Sequence, residues 1–357
     1  MNIKQQVNKI GVPRLIIGLF LLILLAVAPM VGINFPRSME NVVGRVGMFS
    51  ILVLSLIPMI QSGCGLNFGL PIGVIAGVLG AVTSIEFGWT GFAGIFGAMV
   101  IGILIALVFG FFYGLLLNSI KGDEMLIATY VGYSFTALMS IFYVISPYKN
   151  PVSVLSYQGR GLRQQIPVGD YWMKTVELST GMKKSVGLLS DFLSFPIGNK
   201  FRFPTGMFLL FILMAFLIWV FFRTKAGTAM TAVGSNPDYA RAAGINIDRS
   251  RLLSVMLSTA IAAVGIIVYE QDYGFIQLYT APQTFTFQTV AAILIGGASI
   301  NKASITQVFI GTLLFQGILT MTPVVINGAL SIAVSEVLRL IVTNGMIVYA
   351  LTRRNKE

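Results

Sequence analysis

The chain reads as an all-α, polytopic membrane protein of about ten transmembrane helices, and three observations carry that reading. Of its 357 residues, 56% are apolar and only 10% charged, where a soluble domain averages about 25% charged. The apolar residues fall into runs close to the roughly 20 residues that a bilayer crossing needs. Lys and Arg collect at the ends of those runs, so the net charge of +11 is a topology signal and not the footprint of a nucleic-acid binder.

In chain order the runs cover residues 14–32, 44–62, 70–86, 91–118, 125–146, 205–222, 252–270, 286–300, 304–322 and 331–351. The first follows Lys4, Lys9 and Arg14 and has the outline of a signal peptide, with Ala26, Val27 and Ala28 imitating a cleavage site. Its apolar stretch is longer than a secretory core of about 7–15 residues, and Pro29 follows directly, so it reads as a retained span. The eighth run is short, and its boundaries near Pro282 and Gly296 are the least sharply marked. Short, Gly-rich spans fit where neighbouring helices bury them.

A cytoplasmic N-terminus places thirteen bases inside: Lys4, Lys9, Arg14, Lys121, Arg223, Lys225, Arg241, Arg249, Arg251, Lys302, Arg353, Arg354 and Lys356. The short outer connections then hold only Arg37 and Arg45. The excess of Lys and Arg marks the cytoplasmic side, which puts both termini and the 224–251 segment there. Residues 1–357 form one transmembrane domain, with 147–203 as an extracytoplasmic excursion. That excursion carries Arg160, Arg163, Asp170, Trp172, Lys174, Lys183 and Lys184. Leu188, Leu189, Phe192 and Leu193 then recur at helical spacing, predicting a helix that lies on the membrane surface. The segment is either a plain surface loop or a landing platform for an external delivery protein, whose carboxylates would meet Arg160, Arg163 and Lys174.

The longest polar interruption of the second half is 224–251, and SNPDYARAAG at its centre has both ends of a short helix marked. Ser235 or Asn236 can cap the first amides, and Pro237 sits where a missing N–H costs nothing. Asp238 falls in the positive first turn, and Gly244 can take the left-handed stop. Residues 237–243 make a rod of roughly 10 Å, too short to stand alone in water. Tyr239, Ala242 and Ala243 form one small apolar face. A rod of this kind between two spans suits the reception of a push from a separate motor.

The residue inventory argues against an enzyme. There is no His, Cys64 is the lone cysteine, and no GxxxxGK[ST] loop occurs. Imidazole chemistry, thiolate metal clusters and P-loop nucleotide binding in this chain are therefore all excluded. Neither a catalytic residue nor a metal ligand is assigned. Glu86, Glu270 and Asp272 fall at the outer ends of spans and read as a solvated membrane edge. Glu336 and Arg339, spaced i, i+3 in the last run, read either as an intrahelical ion pair or as lining of a path. A proton- or sodium-coupled carrier needs a carboxylate near mid-membrane, and the central parts of the first nine runs contain none.

Two Gly- and polar-interrupted stretches, 61–77 (QSGCGLNFGLPIGVIAG) and 280–299 (TAPQTFTFQTVAAILIGGAS), occupy comparable places in possible four-span units, spans 2–5 and 7–10. Paired interruptions of this type point to a transport path. The candidates for lining it are Gln61, Asn67, Phe68, Tyr133, Phe287, Gln288 and Thr289, whose amide and aromatic groups suit a neutral, hydroxyl-bearing solute. The alternative for each is a helix–helix contact, since membrane helices use Asn, Gln and Thr as glue.

From AVGSNPDYARAAGINIDRSRLLSVMLSTAIAAVGIIV onward the chain resembles the permease subunit of bacterial ABC importers. The branch it resembles serves simple sugars, branched-chain amino acids and nucleosides. The pattern AVGxNxxxARxxGINxxR, a span, and then AAILIGGASI carry the likeness, with GLNFGLPIGVIAG a looser match in the first half; about 44–351 is covered. The resemblance implies a type II-like importer permease of two pseudo-repeated helix bundles. It would work in the inner membrane beside a second permease copy or paralogue. The cofactors, ATP and Mg, would sit on a separate ABC ATP-binding subunit, and a solute-binding protein would deliver cargo from outside. Asn236, Pro237, Asp238, Tyr239, Arg241, Ala242, Ala243 and Gly244 would be the segment received by the ATPase. The cargo expected first is a simple sugar, with nucleosides or branched-chain amino acids as alternatives on the same machine; an ion-coupled carrier or channel is the alternative of another class. Asn67 stands where the sugar branch usually has aspartate, and Pro71 where nucleoside permeases tend to have Glu-Gly, which leaves the cargo open.

Overall fold

A computed structural model describes residues 12–120, 122–157, 161–177, 183–197, 201–329 and 332–352. Its organising element is a helix of 27 residues at Ile247–Tyr273, about 40 Å long at 1.5 Å per residue. Asn246 caps it by accepting the Arg249 amide at 2.9 Å, and Gly274, at φ +89°, ends it. The helices in order are α1 Val12–Val27, α2 Phe35–Leu54, α3 Ile57–Gln61, α4 Leu70–Glu86, α5 Gly91–Ser119 and α6 Glu124–Ile145. After two single turns, α7 Gly169–Trp172 and α8 Leu188–Asp191, come α9 Thr205–Phe221, α10 Lys225–Ser235, α11 Pro237–Ala242 and α12, the organising helix. The chain closes with α13 Thr280–Ile295, α14 Ile305–Ala329 and α15 Ile332–Thr352.

Helix α12 is enclosed by α2, α4 and α5, and small residues set how closely they approach. A Cβ added at Gly73 or Gly77 of α4 would stand 2.7 and 2.5 Å from the Thr259 and Ala263 carbonyl oxygens. On α5, a Cβ at Gly114 would meet Leu252 at 2.6 Å. Glycines four apart on one helix face are the small-xxx-small pattern by which membrane helices pack backbone to backbone. The outer faces of α5, α6 and α9 expose Phe96, Leu104, Phe112, Leu138, Ile141 and Phe216, as lipid-facing helices do.

Each of the ten apolar runs contains helix, but fewer are long and apolar enough to cross a membrane by themselves. Among the described residues these are 35–61 (α2 with α3), α5, α6, α12 and α14. A sixth is obtained if α9 and α10, bent by 79°, count as one. Arg14–Val27, Leu70–Glu86 and Val337–Tyr349 are apolar but shorter. Helix α13 begins at Thr280, earlier than the run at 286–300 predicts, because Pro282 lies in its first turn, where a proline is tolerated. Gly297, at φ +85°, follows its end.

The fold is not wholly helical. Among the described residues the excursion forms short antiparallel pairs: β1 Ser156–Tyr157 with β2 Gly161–Leu162, β4 Met173–Glu177 with β5 Lys183–Gly187, and β6 Phe195–Ile197 with β7 Phe201–Phe203. Strand β3 Gln165–Pro167 pairs with β8 Phe275–Gln277, so the excursion is stitched to the α12–α13 connection. The surface helix expected over Leu188, Leu189, Phe192 and Leu193 is a correction: only the turn Leu188–Asp191 is helical, and Leu193 takes φ 52°. The Leu189 amide donates to Gln271 Oε1 at 3.2 Å and Leu189 is buried, so α12 and not the lipid holds this turn.

The outer carboxylates are also corrected, since they are bonded and not simply solvated. Glu86 accepts the Lys149 and Asn150 amides at 3.1 and 3.0 Å and the Ser153 hydroxyl at 2.5 Å, shaping the turn after α6. Glu270 is fully buried and accepts the Gln277 amide at 3.0 Å, holding β8 to α12. Asp272 accepts the Ser190 hydroxyl.

Candidate functional site

The 224–251 segment folds as two helices at an elbow. Thr224 accepts the Gly227 amide at 3.3 Å and opens α10, which the sequence reading missed. Its one signal is the spacing of Gly227, Met230 and Val233, all buried. Asn236 ends α10 and caps α11, its side-chain oxygen accepting the Tyr239 amide at 3.0 Å, with Pro237 in the first turn. Of the two proposed caps, Asn236 takes the role, while Ser235 bonds back to the Thr231 carbonyl. Gly244, at φ +78°, follows the end of α11.

Burial divides α11 sharply. Ala240 is buried and seats the helix, whereas Tyr239 is 69% exposed and Ala242 and Ala243 are also exposed. Asp238 and Arg241 approach to 3.5 Å on the open side. So exposed a pair adds little stability, which leaves both charges available to a partner.

Behind the elbow, α10 presses on the first interruption of the bundle. Gly234 lies against the Gln61 carbonyl and the Gly63 amide, and Gly63, at φ +74°, turns the chain there. Gln61 Nε2 donates to the Ala303 carbonyl at 2.7 Å, tying the same point to the loop after α13. Close by, Ser62 and Ser254 share a hydrogen bond of 2.7 Å, and Arg251 pairs with Glu124 at 2.5 Å with both side chains mostly buried. Buried polar groups in such numbers are tolerated because most are paired, the Arg251 Nε being an exception.

The seven candidate path residues divide. Phe68, Tyr133 and Phe287 converge on one small cleft with Pro71, Thr129, Gln283 and Thr286. The Phe68 and Phe287 rings stand 5.9 Å apart, and the Thr286 hydroxyl is buried with no hydrogen-bond partner. Thr129 and Gln283, which the sequence reading missed, lie four residues before Tyr133 and Phe287; that helical interval would have found them. The other four stand elsewhere. Gln61 is a tie, and Thr289 bonds to its own helix at the Phe285 and Thr286 carbonyls. Asn67, fully buried, donates to Ser258 at 2.8 Å and accepts from Tyr113 at 3.2 Å. Gln288 is half-buried and does not line the cleft.

Of the three bases suggested for docking, Arg160 lies outside the described residues. Arg163 donates to the Val152 carbonyl at 2.6 Å and Lys174 pairs with Asp191 at 3.6 Å, so both also brace the excursion itself. The side chain of Glu336, and with it the proposed pair with Arg339, lies outside the described residues.

A glycine-packed bundle with an exposed helical elbow between two of its spans defines a polytopic membrane protein of the transporter type. The chain belongs to the family described as branched-chain amino acid transport system / permease component, whose model matches residues 38–351. It is 28% identical to the probable ABC transporter permease protein YphD of Escherichia coli strain K12, over 43% of this chain and 45% of that protein. It is 32% identical to the nucleoside ABC transporter permease protein NupB of Lactococcus lactis subsp. cremoris, over 26% of each chain. To the autoinducer 2 import system permease protein LsrC of Enterobacter sp. strain 638 it is 33% identical, over 34% of this chain and 36% of that one. The chain thus spans less than half the length of these relatives. No solved structure matches it. Apolar helices and family together make it an integral inner-membrane protein.

Proposed function

We propose that this chain is the membrane-spanning subunit of an ATP-driven importer, moving a small neutral solute, a simple sugar foremost, into the cytoplasm. It performs no chemistry of its own. ATP and Mg belong to a separate ATP-binding subunit, a second permease copy or paralogue completes the membrane part, and an extracytoplasmic solute-binding protein delivers cargo. The observation that carries this reading is the elbow: α11 offers Tyr239, Ala242, Ala243 and the Asp238–Arg241 pair outward, while α10 behind it bears on the break at Gln61–Gly63. A groove on the ATPase that grips α11 therefore acts directly on an interrupted span. Binding of ATP by the partner favours one of two arrangements of the bundles formed by spans 2–5 and 7–10, and hydrolysis restores the other. This reading puts the transport path at the narrow Phe68–Tyr133–Phe287 cleft.

The test is uptake of radiolabelled ribose into liposomes that hold the permease with its ATP-binding subunit and are supplied with the loaded binding protein. Arg241→Glu and Gly244→Val abolish uptake and cargo-stimulated ATP hydrolysis while membrane insertion persists. Solute uptake by this chain alone on an ion gradient, with no ATPase present, overturns the reading in favour of a secondary carrier or channel.

A further inference from the structure

Two hairpins of the excursion are built from opposite materials. Strands β4 and β5, MKTVE and KKSVG, carry Lys174, Glu177, Lys183 and Lys184. Strands β6 and β7, FPI and FRF, hold a single charge, Arg202. In the β6–β7 register Phe195 faces Phe203 and Ile197 faces Phe201, with Pro196 opposite Arg202 between them. Side chains alternate across a strand, so Phe195, Ile197, Phe201 and Phe203 share one face. Pro196 and Arg202 take the other, where Asp191 holds Arg202 at 3.3 Å.

The apolar face is only partly used by the protein. Pro196, Phe201 and Arg202 line a cavity of about 710 Å³ between the hairpin, α2 and α14. Phe195 and Ile197 do not line it and stay 49% and 51% exposed. A two-stranded hairpin is marginal in water by itself. One that leaves its apolar side chains half in water also forgoes the burial that would hold it.

This face is continuous with surfaces that face lipid. On α5, Phe92, Phe96, Val100, Leu104 and Val108 recur every four residues and are all exposed, a ridge along the helix. Phe192, the first residue after α8, sets its ring against Phe92 at 5.5 Å, at the end of that ridge. Leu193, next in the chain, is exposed as well. On the other side, Phe195 stacks on Phe203 at 5.4 Å, and Phe203 on Phe208 of α9 at 4.9 Å. Helix α9 likewise has an exposed apolar outer face, with Ile212, Leu213 and Phe216. Phe87 and Trp89 lie exposed just before α5. Aromatic rings gathered where spans end mark the membrane–water boundary.

We infer that the β6–β7 hairpin and the Phe192–Leu193 turn dip into the phospholipid leaflet on the excursion side, as an interfacial anchor beside α5 and α9. Phe192, Leu193, Phe195 and Ile197 offer no charge or hydrogen-bonding side chain that a soluble partner could read. The backbone bounds the depth. A sheet of two strands keeps unpaired amides and carbonyls along its outer edges, which the hydrocarbon core does not tolerate. The anchor therefore sits about 5–10 Å into the headgroup and acyl boundary, as interfacial amphipathic elements do. The excursion is then held twice: α12 fixes the Leu188–Asp191 turn through Gln271, and lipid fixes the segment that follows. This holds for any cargo and any motor.

The test is site-directed spin labelling of the full chain in lipid nanodiscs. Cys64, the lone cysteine, is removed by Cys64→Ala, and a nitroxide is carried by Ile197→Cys, Leu193→Cys or, as the control exposed on β4, Thr175→Cys. Where Cys64→Ala does not fold, Cys64 stays, since its burial keeps it from the label. Oxygen concentrates in the bilayer, and a neutral nickel chelate stays in water. The ratio of oxygen to nickel accessibility at positions 197 and 193 exceeds that at 175 severalfold. A ratio at either position equal to that at 175 puts the hairpin in water and overturns the inference. Shielding of either label from both reagents overturns it too, because a protein surface, such as a second copy of this chain, then covers the face.

Discussion

Gly234→Ala tests whether α10 transmits force. A Cβ at this position would stand 2.8 Å from both the Gln61 carbonyl carbon and the Gly63 amide nitrogen, and closer still to the Gln61 oxygen. Heavy atoms rest at about 3.5–4.0 Å, so α10 and the break must separate by roughly 0.7 Å or more. Both neighbours are backbone, so no side-chain rotamer can relieve the clash. Overpacking of this kind costs about 1–3 kcal/mol, partly offset by the roughly 1 kcal/mol that alanine gains over glycine in a helix. The expected net loss of stability is about 1 kcal/mol, a small shift in thermal midpoint. Coupling suffers more, because the displacement falls on the contact that carries the motion. Solute moved per ATP hydrolysed in reconstituted liposomes drops severalfold. Gly345→Ala, in α15 with nothing within 4 Å of its added Cβ, is the matched control and leaves the ratio unchanged. An unaltered ratio in Gly234→Ala, with an unaltered melting profile, refutes the reasoning.

Glu124→Gln leaves Arg251 charged and largely buried without its partner at 2.5 Å, and the loss on breaking such a pair is about 3–5 kcal/mol. Chemical unfolding in detergent shows most of that loss. The double variant Glu124→Leu with Arg251→Met is less damaged than either single charge removal; equal or additive damage rejects a dominant pair. Asn67→Leu deprives both Ser258 and the buried Tyr113 hydroxyl of a partner. At about 1–3 kcal/mol for an orphaned buried group, it unfolds at visibly lower denaturant; an unchanged midpoint rejects the role given to this network.

The residues that announced themselves in the sequence are those whose local chemistry decides their structure. Asn236, Pro237, Asp238 and Gly244 mark a helix by capping, proline placement and a left-handed stop, and α11 runs between those marks. The apolar runs were legible for the same reason, since hydrocarbon leaves a chain little alternative to helix. Helix α10 was not legible: KAGTAMTAVGS mixes glycine with two threonines, and burial of Met230 and Val233 holds it in place of propensity. The hairpins were hidden because each strand is two to five residues long, too short for an alternating pattern to emerge, and β3 finds its partner β8 more than a hundred positions away. Leu188 to Leu193 imitated a helix because one true turn is followed by a tight turn at Phe192 and Leu193, both apolar. The Phe68–Tyr133–Phe287 cleft was half visible. Aromatic rings near chain breaks drew attention to themselves, but only the packing of α4, α6 and α13 showed which of the polar candidates share a space.

The two interruptions that the sequence placed far apart converge beside the elbow. Gln61 reaches the Ala303 carbonyl, and a Cβ at Gly65 would meet Met125 at 2.6 Å and Ile300 at 3.7 Å, so the first break touches both α6 and the connection beyond the second break. Gly234 adds the elbow to the same point. Three stretches that meet through backbone and short side chains have little slack between them, and close-packed interiors transmit strain instead of absorbing it. The elbow, the first break and the connection after α13 are thus held together by backbone contacts and short side chains. Glycine suits positions 63 and 65 because their backbone is left-handed, at φ +74° and +78°, and position 234 because the Gln61 and Gly63 backbone leaves no room for a Cβ.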